Sequence, residues 1–178
     1  WSSAVPYRES AGRQCCGCHR RRYHGVIVTA ERHCMIAAAL ALLAASAALP
    51  TSLPVDAATL AKLPAASATL TAHGQTHACT GVWLTDLAVA AGLPAGEALR
   101  GPALTTIIVA EAADGYRVAF SFAELDPKLG NHPVLVANAC DGKALSAADG
   151  PLRLVVPGEV RAARSVRQIR ALRVVALP

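Results

Sequence analysis

Six arginines crowd the end of the chain: Arg153, Arg161, Arg164, Arg167, Arg170 and Arg173 fall within 21 residues. Guanidinium groups hold phosphate and carboxylate through paired, charge-assisted hydrogen bonds, so this spacing predicts an anion site. The competing expectation is a solvated basic face on a terminal strand or helix. Thiolates are the other source of chemistry, and the last 144 residues hold two cysteines, Cys79 and Cys140. Cys79 has three readings: a ligand to a soft metal, a small buried residue in an apolar strand, or half of a disulfide with Cys140. His73 and His77 stand four residues apart and Cys79 two further on. In a strand all three share one face, which makes a candidate copper or zinc patch, against the alternative of solvent-facing hairpin residues. Cys15, Cys16, Cys18, His19, His24, His33 and Cys34 lack the paired clip spacing of a structural zinc site.

The net charge of +5 divides unevenly at Met35, the single methionine. Residues 1–34 hold six Lys/Arg against Glu9 and Glu31, and residues 35–178 hold eleven against ten acids. A body charge of +1 gives no reason to expect nucleic acid, and no nucleic-acid, haem-attachment or flavin motif is visible. From Ile36 to Ala45 every residue is Ala, Leu or Ile, followed by Ser46-Ala47-Ala48 and Pro50. An apolar run ending in small residues fits a secretory signal, and at about 15 residues it is shorter than the ~20 a stable membrane span needs. The expected division is an upstream leader or n-region over 1–34, a signal peptide over 35–50, a lead-in over 51–67 and a single domain over 68–178. The expected location is the periplasm or the exterior, with no membrane span left after cleavage.

Residues 51–67 are rich in Pro and Ala, with Asp56 placed to cap a short helix ahead of Pro64. "ATLTAHGQTHACTG" alternates around Gly74 and predicts a hairpin, and "VWLTDLAVAAGLP" carries apolar residues at near-helical spacing before Gly92 and Pro94. "ALTTIIVAEA" and "YRVAFSF" flank Asp114-Gly115, a strong hairpin signal. Ser121 is placed to cap a short helix, and "HPVLVANA", "GPLRLVVPG" and "ALRVVAL" are strand candidates separated by Gly- and Pro-containing turns. Short helices among mostly hairpin-linked strands make the class α+β.

"VWLTDLAVAAGL", "DGYRVAFSFAELDP", "VLVANACDGKALSAADG" and "GPLRLVVPGEVRAARSVRQIRALRVV" follow one another in an order that resembles the molybdopterin-binding domain of sulfite-oxidase-type enzymes. The resemblance covers most of 80–175 and implies mixed β-sheets with short helices, in a truncated form of that fold. It implies a molybdopterin cofactor, with Arg153 as the phosphate-binding arginine. Ser165, Val166 and Arg167, beside Arg164, would grip the cofactor with backbone amides and a basic side chain. It also implies a molybdenum-ligating cysteine shortly before the Gly-Val-x-Leu helix start. No cysteine stands at 68–73, so Cys79 is the nearest candidate, and Asp149 occupies the position where the family tends to place a histidine. Besides a small periplasmic metal carrier built on His73, His77 and Cys79, two functions stay open. One is an exported molybdopterin-dependent oxidoreductase served by a separate redox partner protein, with its metal site intact or degenerate. The other is a cofactor-free periplasmic binding module for a small anionic ligand or a partner protein.

Overall fold

The computed structural model describes residues 49–178 except His73. The leader and signal-peptide expectations, and the His73 part of the metal patch, fall outside the described residues. No described helix is long and apolar enough to cross a membrane.

Asp56 begins the helical structure as expected: its side chain accepts the Thr59 amide at 2.9 Å, capping α1 (Ala57–Leu60). Just before it, the two-residue strand β1 (Ser52–Leu53) pairs with β9 (Ile169–Ala176), so the lead-in contributes Leu53 and Leu60 to the main core. β2 (Ala66–Ala72) and β3 (Gln75–Trp83) form the hairpin around Gly74. Leu84 opens α2 (Leu84–Ala90), where the period changes from two to near four. β4 (Thr106–Ala112) buries every second residue and turns at Asp114-Gly115 into β5 (Arg117–Ser121). Gly115 there has φ 87°, a conformation glycine adopts without steric cost. Ser121 precedes α3 (Phe122–Leu125), but its hydroxyl makes no capping bond. β6 (Leu135–Cys140), β7 (Lys143–Ala144) and β8 (Arg153–Val155) complete the strands.

The strands form two antiparallel sheets. One has the order β1-β9-β4-β5; the other runs β2-β3-β6, with β7 and β8 both on the far edge of β6. This is the α+β arrangement of mixed sheets and short helices. The main core unites Ile108, Phe120 and Leu172 of the first sheet with Val82, Val136 and Leu154 of the second. Each such fully buried large side chain stabilises the fold by about 1.5–3 kcal/mol. The opposite face of the second sheet carries a smaller cluster, Leu70, Cys79, Leu135, Ala137 and Val155. A 3₁₀ turn, Ala162–Arg164, lies over β2 and β8 on this side. The division follows from the pleat: Leu154 points into the main core, while its neighbours Arg153 and Val155 point the other way.

β3 and β6 are joined covalently at one end of their pairing. Cys79 stands directly opposite Cys140, and the two form a disulfide with Cα atoms 4.0 Å apart. Next to it the register shifts, with Thr80 opposite Ala139 and Gly81 opposite Ala137, so Asn138 is a one-residue bulge. The bulge presses the β6 backbone onto Gly81, where an added Cβ would collide with the Val136 carbonyl and the Ala137 Cα.

Gly81→Ala is therefore expected to lower stability by about 3 kcal/mol, because the obstructing atoms are backbone. The check is a denaturant melt, in which the midpoint falls at unchanged slope. Removing the disulfide through Cys79→Ala with Cys140→Ala frees a loop spanning a sequence separation of 61. The loop-closure argument gives a loss of about 4 kcal/mol. Coincident melts of the oxidised wild type and the double variant would show that the bond contributes no stability.

Candidate functional site

The disulfide decides among the readings of Cys79. Its sulfur is bonded to that of Cys140 and fully buried, so the expected metal-ligand role is not the one the structure gives it. A sulfur in a disulfide carries no thiolate charge for a soft metal. The proposed His-His-Cys patch loses its thiol for the same reason. Among the described residues no group of three or more His, Cys, Asp or Glu side chains is arranged to hold a metal.

The arginine cluster separates into groups with different partners. Arg173 Nε bonds Glu111 at 3.0 Å on the outer side of the first sheet. Arg164 was expected beside the cofactor, but its guanidinium is shared between Glu159 (2.6 Å) and Glu124 (3.0 Å) and lies 5.0 Å over the Phe120 ring. Burial alone would lower its pKa, yet the bonds to the two carboxylates outweigh this and raise it. Arg164 thus ties the Glu159–Arg164 loop to α3. Tyr116 ties the same loop to the β4–β5 turn by donating its hydroxyl to the Ala163 carbonyl at 3.1 Å.

Arg153 and Arg167 are brought together instead. The segment 165–169 is sewn onto 149–156 by four bonds. Gln168 N–H donates to the Asp149 carbonyl, Ile169 N–H to Leu152, Leu154 N–H to Val166, and Val156 N–H to the Ser165 hydroxyl. This lays Arg167 beside Arg153 at the mouth of a groove of about 370 Å³, lined also by Leu70, His77, Asp149 and Ser165. A smaller hollow of about 180 Å³ shares Leu70, His77, Asp149 and Arg153 and reaches Cys140. A larger cleft of about 600 Å³ lies between α1 and the second sheet. Thr80 and Asn138 are its polar lining residues and none is charged, so it offers an anion no cationic partner.

Arg153 is only 11% exposed and donates from Nη1 to Asp149 Oδ1 at 3.1 Å. Burial lowers its pKa, Asp149 opposes the shift, and nearby Arg167 adds to it; a guanidinium stays charged throughout. Its Nε is buried with no hydrogen-bond partner among the described residues. Arg167 is exposed and has no carboxylate partner among the described residues.

Ser165 and Val166 differ from expectation in how they act. The 3₁₀ turn consumes their amides, since Ser165 N–H donates to the Ala162 carbonyl and Val166 N–H to that of Arg164. The Val166 side chain is part of the main core. Both residues place Arg167; neither has an amide left for a ligand.

One groove group, Asp149, and one residue that holds a groove group, Asp141, were not legible as such. Asp149 reads in sequence as a charge of the wrong sign, but in the fold it pairs with Arg153 and accepts from the Ser146 hydroxyl at 3.0 Å. Its i, i+4 spacing to Arg153 was the available signal. Asp141 reads only as a turn residue. With φ 52° it turns its carboxylate back onto β3, where Oδ2 meets His77 Nδ1 at 2.7 Å and Oδ1 accepts the Ala78 amide at 2.9 Å. A pair 64 residues apart leaves no trace in local pattern.

Known proteins bear on the same segment. No curated protein matches the chain. The family described as "Oxidoreductase molybdopterin binding domain" matches residues 67–178, which takes in the second sheet, both hairpins and the whole arginine segment. The chain belongs to the family of oxidoreductase molybdopterin-binding domains.

Proposed function

We propose that this chain is an exported molybdopterin-binding domain whose Arg153–Arg167 groove takes the phosphate end of the cofactor and whose metal position is degenerate. The observation that carries the reading is the convergence of two guanidinium groups on one groove, Arg153 held by Asp149 and Arg167 without a carboxylate partner among the described residues. Phosphate oxygens accept from such groups, and charge-assisted bonds of this kind are the strong ones. The bound cofactor would supply redox chemistry at its metal. The residues fit its phosphate better than its metal, because the nearest cysteine is closed in a disulfide and no alternative ligand cluster exists among the described residues. Arg153 and Arg167 would bind and orient the phosphate, with Asp149 holding Arg153 in place. Export is supported by the Cys79–Cys140 disulfide, since such bonds persist in oxidising compartments, and by the apolar segment after Met35.

A second reading has its own support. Asp149 already compensates one of the two arginines, which suits a small anion more than a large cofactor and favours a cofactor-free binding module.

The test is the pterin and molybdenum content of the full chain, exported from a host that makes the cofactor and purified without chelators. Pterin near one per chain with molybdenum far below that is the expected result. Stoichiometric molybdenum would overturn the degenerate metal site, and absence of both would leave the cofactor-free module. Arg153→Ala and Arg167→Ala should each reduce retained pterin about tenfold or more, the loss of one charge-assisted contact. Arg173→Ala, which only frees Glu111, should leave it unchanged; equal losses in all three variants would mark a generic basic surface.

A further inference from the structure

His77 lines both hollows around Arg153, yet nothing in the anion reading uses it. Its geometry is specific. Asp141 is anchored by the Ala78 amide on the same strand and holds His77 Nδ1 with its other oxygen. The His77 bond, and after it the Ala78 amide, keep the Asp141 carboxyl below its ordinary range, so both its oxygens only accept. The hydrogen of that contact therefore sits on Nδ1. In a neutral imidazole this leaves Nε2 as a lone pair, a hydrogen-bond acceptor at a groove otherwise supplied with arginine donors. Asp149 is a second acceptor on the same lining.

We infer that His77, set in its tautomer by Asp141, acts with Asp149 as an acceptor that makes the groove select an oxyanion carrying its own O–H, of the hydrogen phosphate class, over a proton-free one such as sulfate. The inference rests on the free-oxyanion reading of the groove, because a phosphate monoester has a second pKa of about 6 and so carries little O–H at neutral pH. Two arginines attract either ion, because their donors respond to charge. An acceptor discriminates: it gains a bond from a P–O–H group and meets only repulsion from a bare sulfate oxygen. Asp141 is thus a positioning residue and His77 the contact it positions.

The experiment uses the disulfide-bonded full chain at pH 8, where inorganic phosphate and sulfate are both predominantly dianions and differ in the proton. Calorimetric titration with each ion should give a preference for phosphate that falls about fivefold in His77→Ala, the scale of one hydrogen bond, with sulfate binding retained. Asp141→Asn is the sharper variant. Its amide oxygen can keep the Ala78 N–H, which turns the amide nitrogen toward Nδ1 as a donor and moves the imidazole hydrogen to Nε2. Phosphate preference should then be lost or inverted, while the ¹⁵N shifts of the ring exchange their protonated and bare signatures. Equal affinity for the two ions in the wild type would overturn the inference and leave the groove an anion site. So would an unchanged preference in Asp141→Asn once the ring shifts have exchanged. Binding of neither ion would remove the groove reading itself, and this inference with it.

Discussion

The pairing of β3 with β6 is the constraint on which the rest of the structure depends. It is the central ladder of the second sheet, closed at one point by the Cys79–Cys140 bond and distorted beside it by the Asn138 bulge. The bulge brings backbone onto backbone at Gly81, an approach available only without a Cβ. From this ladder both faces of the sheet acquire their roles. Val82 and Val136 turn toward the main core, while His77 and Cys79 turn toward the smaller cluster and the groove above it. The free edge of β6 is then divided between β7 and β8, and β8 delivers Arg153 to the same side as His77.

One wall of the groove, carrying Asp149, Ser165 and Arg167, is built from chain segments that have little regular structure of their own. Residues 146–152 and 157–168 carry no strand pairing, and the bonds of Gln168, Ile169, Leu154 and Val156 between them substitute for a ladder. Such sewing holds Ser165 and Arg167 against the sheet that carries Arg153 and His77. It also explains why the arginines behave so differently at regular spacing. Arg164 is drawn off by Glu124 and Glu159, Arg173 by Glu111, and Arg153 is largely buried against Asp149. What separates them is the distribution of acids around them in the fold.

Family membership and the local chemistry address different questions here. The fold of a molybdopterin-binding domain is present from the first hairpin to the last strand. Whether a member of such a family performs redox chemistry depends on ligands at particular atoms. A disulfide at Cys79 makes that sulfur a covalent brace and leaves it no thiolate for metal ligation. The polar groove is compatible with the phosphate end of a cofactor or with a free oxyanion, since both present the same oxygen acceptors to Arg153 and Arg167.

The sequence by itself determined the elements whose causes are local. Asp114-Gly115 and Gly74 mark the two hairpins, Asp56 its helix cap, Gly92 the end of α2, and alternation the burial of β4, because turn conformation, capping and pleat period act over a few residues. The order of its segments also carried the family and the α+β class. The tertiary structure alone decided the pairing of Cys79 with Cys140, the assignment of Arg164 to Glu124, the insertion of β1 beside β9, and the His77–Asp141 contact. Each of these joins residues 40 or more positions apart, where the outcome is set by strand register and competition among partners rather than by spacing.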